Sequence, residues 1–161
     1  MPIAIRSAKT TWTDSLAAGH GVIDVGTEGI DSLDVTWASR IEDPQGRTSP
    51  EELCAAAHSS CFAMALGLKL AEAGVVPSVL EVDATVTLEE VGGVPTISSS
   101  VIEAKGRVEG LDRTGFASVV SEAAELCPVS RLFAGADISV NATFLGDQEQ
   151  VPEARRTRNA A

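Results

Sequence analysis

The sequence predicts an α+β chain, on three observations. Helical periodicity is confined to two segments. Strand-like runs occupy three separate places. The order along the chain is three strands, a helix, two strands, a helix and a strand. At 161 residues the length is that of one domain and allows a sizeable core. We expect a single domain over residues 1–146 and a polar, flexible tail over 147–161, with an Arg-rich stretch at Arg155, Arg156 and Arg158.

The elements follow in order. Residues 9–12, 21–25 and 33–38 read as short strands, separated by the turn signals at 18–21 and Glu28-Gly29. They form an N-terminal antiparallel meander, followed by a polar loop over 42–47. Ser49-Pro50-Glu51-Glu52 is the strongest local signal. Ser49 suits the N-cap, Pro50 the first helical position, and Glu52 the return arm of a capping box. This helix should run to about Ala73, where Gly74 stops it and Pro77 confirms the exit. It is apolar almost all round, so burial on most sides is expected.

Residues 80–89 alternate, with Val82, Ala84, Val86 and Leu88 on one face. After Gly92-Gly93 a second run spans 95–108, which makes a hairpin. Asp112 is placed to cap a second helix with the stripe Phe116, Val119, Val120, Ala123, Ala124 and Cys127. Pro128 forces a break or a new helical turn. A last strand spans Asp137–Phe144.

Composition excludes some classes of function. The chain is 44% hydrophobic and 22% charged, which is ordinary for a soluble globular protein. With 4% aromatics and no Tyr, the core must be aliphatic. A formal charge of −11 argues against nucleic acid and anionic membranes as partners. The apolar stretch over 53–71 is interrupted by His58, Ser59, Ser60 and Lys69, which argues against a membrane span. Met1 to Arg6 lacks the basic and apolar regions of a secretory leader. The cytosol is therefore the expected compartment. There the three cysteines, none with C-x-x-C spacing, should be free, catalytic or redox-active rather than structural disulfides.

Taken alone, the cysteines are ambiguous, since buried free cysteine is common and usually inert. Two features favour chemistry. Cys61 and Cys127 lie on the buried stripes of the two expected helices, so helix packing can bring them together. Cys61 also follows His58, Ser59 and Ser60 in an otherwise apolar helix, where polar groups cost stability unless bonded or used. A zinc site using His58, Cys61 and Cys127 is an alternative, but it lacks an evident fourth ligand.

Three separated stretches carry a resemblance. Thr48-Ser49-Pro50-Glu51-Glu52-Leu53, then Ala56-Ala57-His58-Ser59-Ser60-Cys61-Phe62-Ala63-Met64-Ala65-Leu66, then Cys127-Pro128-Val129-Ser130 resemble the OsmC/Ohr family of organic hydroperoxide peroxidases. The similarity in element order extends from Trp12 to Phe144, and His58 with Pro-Glu-Glu-Leu is closer to the OsmC branch. The resemblance implies an OsmC-like fold, with a β-meander, two main helices packed on sheet, and an intertwined homodimer.

It also implies a two-cysteine thiol peroxidase with no cofactor and no metal. Cys61 matches the peroxidatic cysteine, whose thiolate attacks an organic hydroperoxide and becomes a sulfenic acid. Cys127 matches the resolving cysteine, and an external dithiol, of lipoyl type in the family, then reduces the disulfide. Arg40 matches the arginine that stabilises the thiolate, and Glu51 the glutamate that orients it.

Helix geometry adds a condition. Glu51 and Cys61 are ten positions apart, roughly 15 Å of rise in a continuous helix. Glu51 therefore serves the Cys61 site only if the helix start unravels or a second chain supplies it, and an obligate homodimer with composite sites is expected. His58 is expected as a hydrogen-bonded packing residue, Cys54 as a core residue, and His20 without a role. Walls of Phe62, Met64, Leu53 and Val129 would favour an alkyl or fatty-acid peroxide, at about 0.8 kcal/mol per buried CH₂. A thiol redox sensor or a small-molecule binding protein on the same scaffold is the rival reading.

Overall fold

Three short strands open the chain: β1 (Ala8–Thr13), β2 (His20–Val25) and β3 (Leu33–Val35), an antiparallel sheet in that order. The computed structural model describes residues 1–146, so the expected tail over 147–161 lies outside the described residues. The meander buries little within the chain: Ile23 and Val35 are its core residues, and every residue of β1 is exposed. The third strand is shorter than expected. Thr36 ends it by becoming the N-cap of a short helix, α1 (Trp37–Ile41). Thr36 Oγ1 accepts from the Ser39 N–H at 3.0 Å, and Ser39 Oγ accepts from the Thr36 N–H at 2.9 Å. That reciprocal box outweighs the β propensity of Val35-Thr36-Trp37. Arg40 therefore stands on a helix and not at a strand end.

The long helix α2 (Pro50–Glu72) starts where the capping signal placed it. Ser49 Oγ accepts from the Glu52 N–H at 3.1 Å. The return arm of the box is absent, because the Glu52 carboxylate accepts instead from Thr48 Oγ1 at 2.9 Å. At the other end Gly74 adopts φ +75, and the Val75 N–H bonds back to the Leu70 carbonyl at 3.0 Å.

One expectation about α2 fails within the single chain. Its buried side carries Glu51, His58, Phe62, Ala65, Leu66 and Leu70, but Met64 is 69% exposed and Leu68 50%. The chain covers one side of this helix and leaves an apolar side open. By length and composition alone α2 could cross a bilayer; the buried imidazole of His58 and its packing on β4 and α3 mark it as a core helix.

The second sheet supplies the surface against which α2 packs. β4 (Pro77–Val91) and β5 (Val94–Val108) form an antiparallel hairpin closed by Gly92 and Gly93, at φ +61 and +82. Two consecutive positive φ values match a type I′ turn, which suits the strand twist and favours glycine. β6 (Asp137–Phe144) adds parallel to β5 on its other side. Between them run α3 (Arg113–Leu126), with Asp112 Oδ1 accepting from the Gly115 N–H at 2.7 Å, and α4 (Pro128–Leu132), the new turn forced by Pro128.

β5 alternates strictly from its middle onward, burying Ser100, Ile102, Ala104, Gly106 and Val108 beneath the helices. With Phe62, Leu66 and Leu70 of α2 and Phe116, Val120 and Ala123 of α3, they make the core. Each large side chain there contributes about 1.5–3 kcal/mol.

Gly106 shows how closely helix and sheet approach. A Cβ at this position would lie 2.5 Å from two ring carbons of Phe116, which is itself fully buried and packed on Phe144. Gly106→Ala is expected to cost about 1–3 kcal/mol through overpacking. Thermal denaturation should read this as a Tm lower by about 2–4 °C per kcal/mol; an unchanged Tm would contradict the tight packing of α3 on β5.

Candidate active site

Packing of α2 beside α3 and α4 brings two cysteines together. Cys61 lies on α2, one turn past His58, and is half-buried. Cys127 ends α3, caps α4 and is fully buried. Both are free thiols; Cys61 packs against the core cluster that contains Cys127, and each sulfur acts on the other's ionisation. Their spacing of 66 positions is closed by α3, whose stripe turns Ala123 and Cys127 inward together.

The two sulfurs have opposite electrostatic settings. Burial pushes the Cys61 thiol up, the Val129 N–H opposes this, and the neighbouring Cys127 adds to the rise. For Cys127 burial also acts upward. The Ser130 hydroxyl and the N–H groups of Ser130 and Val129 together outweigh it, with a further contribution from Cys61, and hold this thiol below its ordinary range. These donors come from the first turn of α4, although Cys127 makes no side-chain capping hydrogen bond. Among the described residues no guanidinium or ammonium acts on either thiol. Among the described residues of one chain, a reactive thiolate at Cys61 thus lacks the cation that would favour it.

His58 sits behind the pair and is fully buried. Nδ1 meets Ser100 Oγ at 2.7 Å, and Nε2 meets Ser130 Oγ at 2.9 Å. The ring stands edge-on to Phe133 at 5.3 Å. Burial lowers its pKa, so the imidazole is neutral at neutral pH and supplies no charge to Cys61. With both nitrogens engaged by serines, His58 has none left for a metal. Among the described residues no group of three or more His, Cys, Asp and Glu side chains comes together to hold one. The alternative zinc set therefore does not assemble.

Arg40 and Glu51 meet each other but not Cys61. Arg40 Nε donates to Glu51 Oε1 at 3.0 Å, and a terminal nitrogen reaches the same oxygen at 2.7 Å. The guanidinium carbon lies 5.9 Å from the centroid of the Trp37 ring. Glu51 is in the first turn of α2 and buried, so α1 and the start of α2 hold a fixed, forked ion pair. Because α2 is continuous from Pro50, the pair stands roughly 15 Å of helix rise away from Cys61 of the same chain.

The remaining residues separate. Cys54 is half-buried, and burial followed by the Glu51 carboxylate raises its pKa, which keeps it a thiol. The expected apolar walls do not converge. Phe62 is sealed in the core, and Met64 points to the open side of α2. Val129 packs against the core. Leu53 lines an open cavity of about 600 Å³ with Ser32, Leu33, Thr48, Glu52 and Ala56, at the start of α2.

Two functional neighbours are not assigned by the motif reading, Ser100 and Ser130. The signal for Ser100 is its register: it shares the inward face of β5 with Ile102 and Ala104, where a hydroxyl demands a partner.

Comparison with known proteins bears on the family and the fold. A family model described as OsmC-like protein matches residues 43–143. Peroxiredoxin OsmC of Escherichia coli (strain K12) is 31% identical over 127 residues, covering 79% of this chain and 88% of that protein. The organic hydroperoxide resistance protein OhrB of Bacillus subtilis is 26% identical, with a TM-score of 0.61 over 86% of this chain and 98% of that one. An OsmC-like protein from Mycoplasma pneumoniae shares the fold at a TM-score of 0.72, with 10% identity over 90% of this chain and 100% of that one.

Proposed function

The chain belongs to the OsmC-like protein family, and on that premise we propose that it is a thiol peroxidase reducing organic hydroperoxides through Cys61 and Cys127. The observation that carries the proposal is that two free thiols, one half-buried on α2 and one buried at the junction of α3 and α4, pack into one cluster and act on each other's ionisation. The Cys61 thiolate attacks the distal peroxide oxygen. The O–O bond breaks, the alkoxide takes a proton to leave as the alcohol, and Cys61 becomes a sulfenic acid. Cys127 then attacks the Cys61 sulfur, the S–O bond breaks, and water leaves as the disulfide forms. An external dithiol restores both thiols by exchange. Three free cysteines suit a reducing compartment, and we keep the cytosol as its place of work.

Activation of Cys61 is the step the described residues of a single chain do not supply. The forked Arg40–Glu51 pair is the preformed cation best suited to a thiolate and a peroxide oxygen. We assign it to Cys61 of a second copy, in a homodimer that also covers the open side of α2 and the exposed meander.

The reading is tested by adding one equivalent of cumene hydroperoxide to the reduced protein. Intact mass should fall by about two hydrogens, with peptide mapping to a Cys61–Cys127 link. An unchanged mass would return Cys61 to a packing role and favour a binding protein on the same scaffold.

A further inference from the structure

Two contacts set α2 against the chain from α3 to α4. His58 Nε2 meets Ser130 Oγ at 2.9 Å, and Lys69 Nζ stands 3.6 Å from Glu122 Oε2. Positions rise along α2 as they fall along α4 and α3, so the two run antiparallel. Between these contacts the register puts Cys61 beside Cys127. The two sulfurs lie at different depths. Cys127 belongs to the sealed cluster with Phe62, Leu66 and Ala123 and is fully buried. Cys61 packs against that cluster from its edge and is half-buried. Its neighbours along the helix at i−4, i+3 and i+7 are Ala57, Met64 and Leu68, all exposed.

Cys127 is also held in place. It precedes α4 as its N-cap residue, and α4 is fixed to α2 at two points. Ser130 takes the His58 contact, and Phe133, the residue after the helix, meets the His58 ring edge-on at 5.3 Å. His58 is fully buried and braced from β5 by Ser100 at 2.7 Å. A path to Cys127 therefore opens only when α4 parts from α2 and buried polar contacts break, which costs more than fraying of an exposed edge. Thiol–disulfide exchange requires the attacking sulfur to reach the sulfur it attacks. At Cys127 every approach is packed. At Cys61 the edge of α2 is open.

We infer that the external dithiol opens the disulfide at Cys61 alone, and that Cys127 serves only as the leaving sulfur and never carries the external thiol. The inference rests on the peroxidase reading above, in which a Cys61–Cys127 disulfide forms. A thiolate of the dithiol bonds to the Cys61 sulfur. The S–S bond breaks, and its electron pair goes to the Cys127 sulfur, which takes a proton. The second thiol of the reductant then attacks the reductant sulfur of the mixed disulfide and expels the Cys61 thiolate, which is protonated in turn. The dithiol leaves as its cyclic disulfide, so two electrons and two protons pass to the protein pair. The setting of Cys127 suits this role. Although burial acts upward, its thiol is held below the ordinary range, and a less basic sulfur leaves faster. One opening then serves both halves of the cycle: the path that admits a hydroperoxide to Cys61 admits the reductant to the same atom.

The test uses the full-length protein carrying Cys54→Ser, so that only the pair reacts. The disulfide is formed with one equivalent of cumene hydroperoxide. Excess 2-mercaptoethanol is then added, the reaction is quenched in acid at early times, and the adduct is located by peptide mass. It is expected on Cys61, with Cys127 free. An adduct on Cys127, alone or in equal amount, overturns the inference. Alkylation of the same protein in its reduced form reads access without any disulfide, and decides where the adduct turns over too fast to be caught. Initial labelling by iodoacetamide should be at least about a hundredfold faster at Cys61 than at Cys127, because a sealed sulfur reacts only in the opened fraction of molecules. The comparison is stringent, since Cys127 is the more acidic thiol and would label first if both were reachable. Comparable labelling of the two, or faster labelling of Cys127, overturns the inference. Failure to form the Cys61–Cys127 link removes the peroxidase reading and this inference together. A link that forms and takes the external thiol on Cys127 removes this inference alone.

Discussion

Replacing Cys61 with serine is expected to lower organic hydroperoxide turnover by at least about a thousandfold, because a hydroxyl is neither ionised nor nucleophilic enough to cleave the O–O bond. The outcome is not obvious from acidity. Within one chain Cys127 is the thiol held low and Cys61 the one pushed up, so proton affinity alone would choose Cys127 as the attacking group. Access decides otherwise. Cys127 is fully buried beneath the helices, whereas Cys61 retains exposed surface on α2. A hydroperoxide with an organic group cannot reach a sulfur sealed in the core without opening it. Cys127→Ser should therefore still consume one equivalent of peroxide and stop at a Cys61 sulfenic acid. Cys54→Ser should retain turnover, since burial and, after it, the neighbouring Glu51 carboxylate disfavour a thiolate there. Steady-state turnover with a dithiol reductant, paired with intact mass, separates the three variants. Activity surviving in Cys61→Ser would mean that the residue roles are wrong even though the family holds.

How much of this was legible in the sequence depends on the range of the forces involved. The start of α2 was readable because Ser49, Pro50 and the following glutamates act within one turn. The hairpin was readable because Gly92-Gly93 specifies its own turn. The stripe from Phe116 to Cys127 gave the second helix, and Pro128 the new turn after it. The Thr36–Ser39 box was missed because serine at the return position is a weaker signal than glutamate. The open side of α2 was misjudged for a different reason. Apolarity says that a surface should be covered, but not by what, and one chain covers only part of it. The motif named Cys61, Cys127, Arg40 and Glu51 but not Ser100, whose importance lies 42 positions from His58 and depends on strand register. It also led to apolar walls of Phe62 and Met64, which helix rotation sends to the core and to the opposite surface.

Co-expressing a Cys61→Ser chain with an Arg40→Met chain is expected to restore activity that neither variant has alone. Methionine keeps much of the stem of Arg40 against Trp37 but removes the forked charge. Arg40→Met alone should lose about a hundredfold or more in turnover, the scale of removing one preorganised donor from a developing charge. Restoration follows from where the ion pair stands. Arg40 is locked to Glu51 at the start of a continuous α2, too far along the helix to serve Cys61 of its own chain. In a two-fold dimer the Arg40 of one chain can serve the Cys61 of the other, and each mixed dimer regains one intact site. Random pairing makes half the dimers mixed, so about a quarter of wild-type activity should return. If Arg40 served its own chain, each mixed dimer would hold two defective sites and nothing would return. A monomer by light scattering at micromolar concentration would remove the composite site outright. The open apolar side of α2, with Met64 and Leu68 exposed, and the exposed strand β1 argue for the dimer. A preformed ion pair that stands well along the helix from Cys61 of its own chain argues that the partner's sulfur is what Arg40 serves.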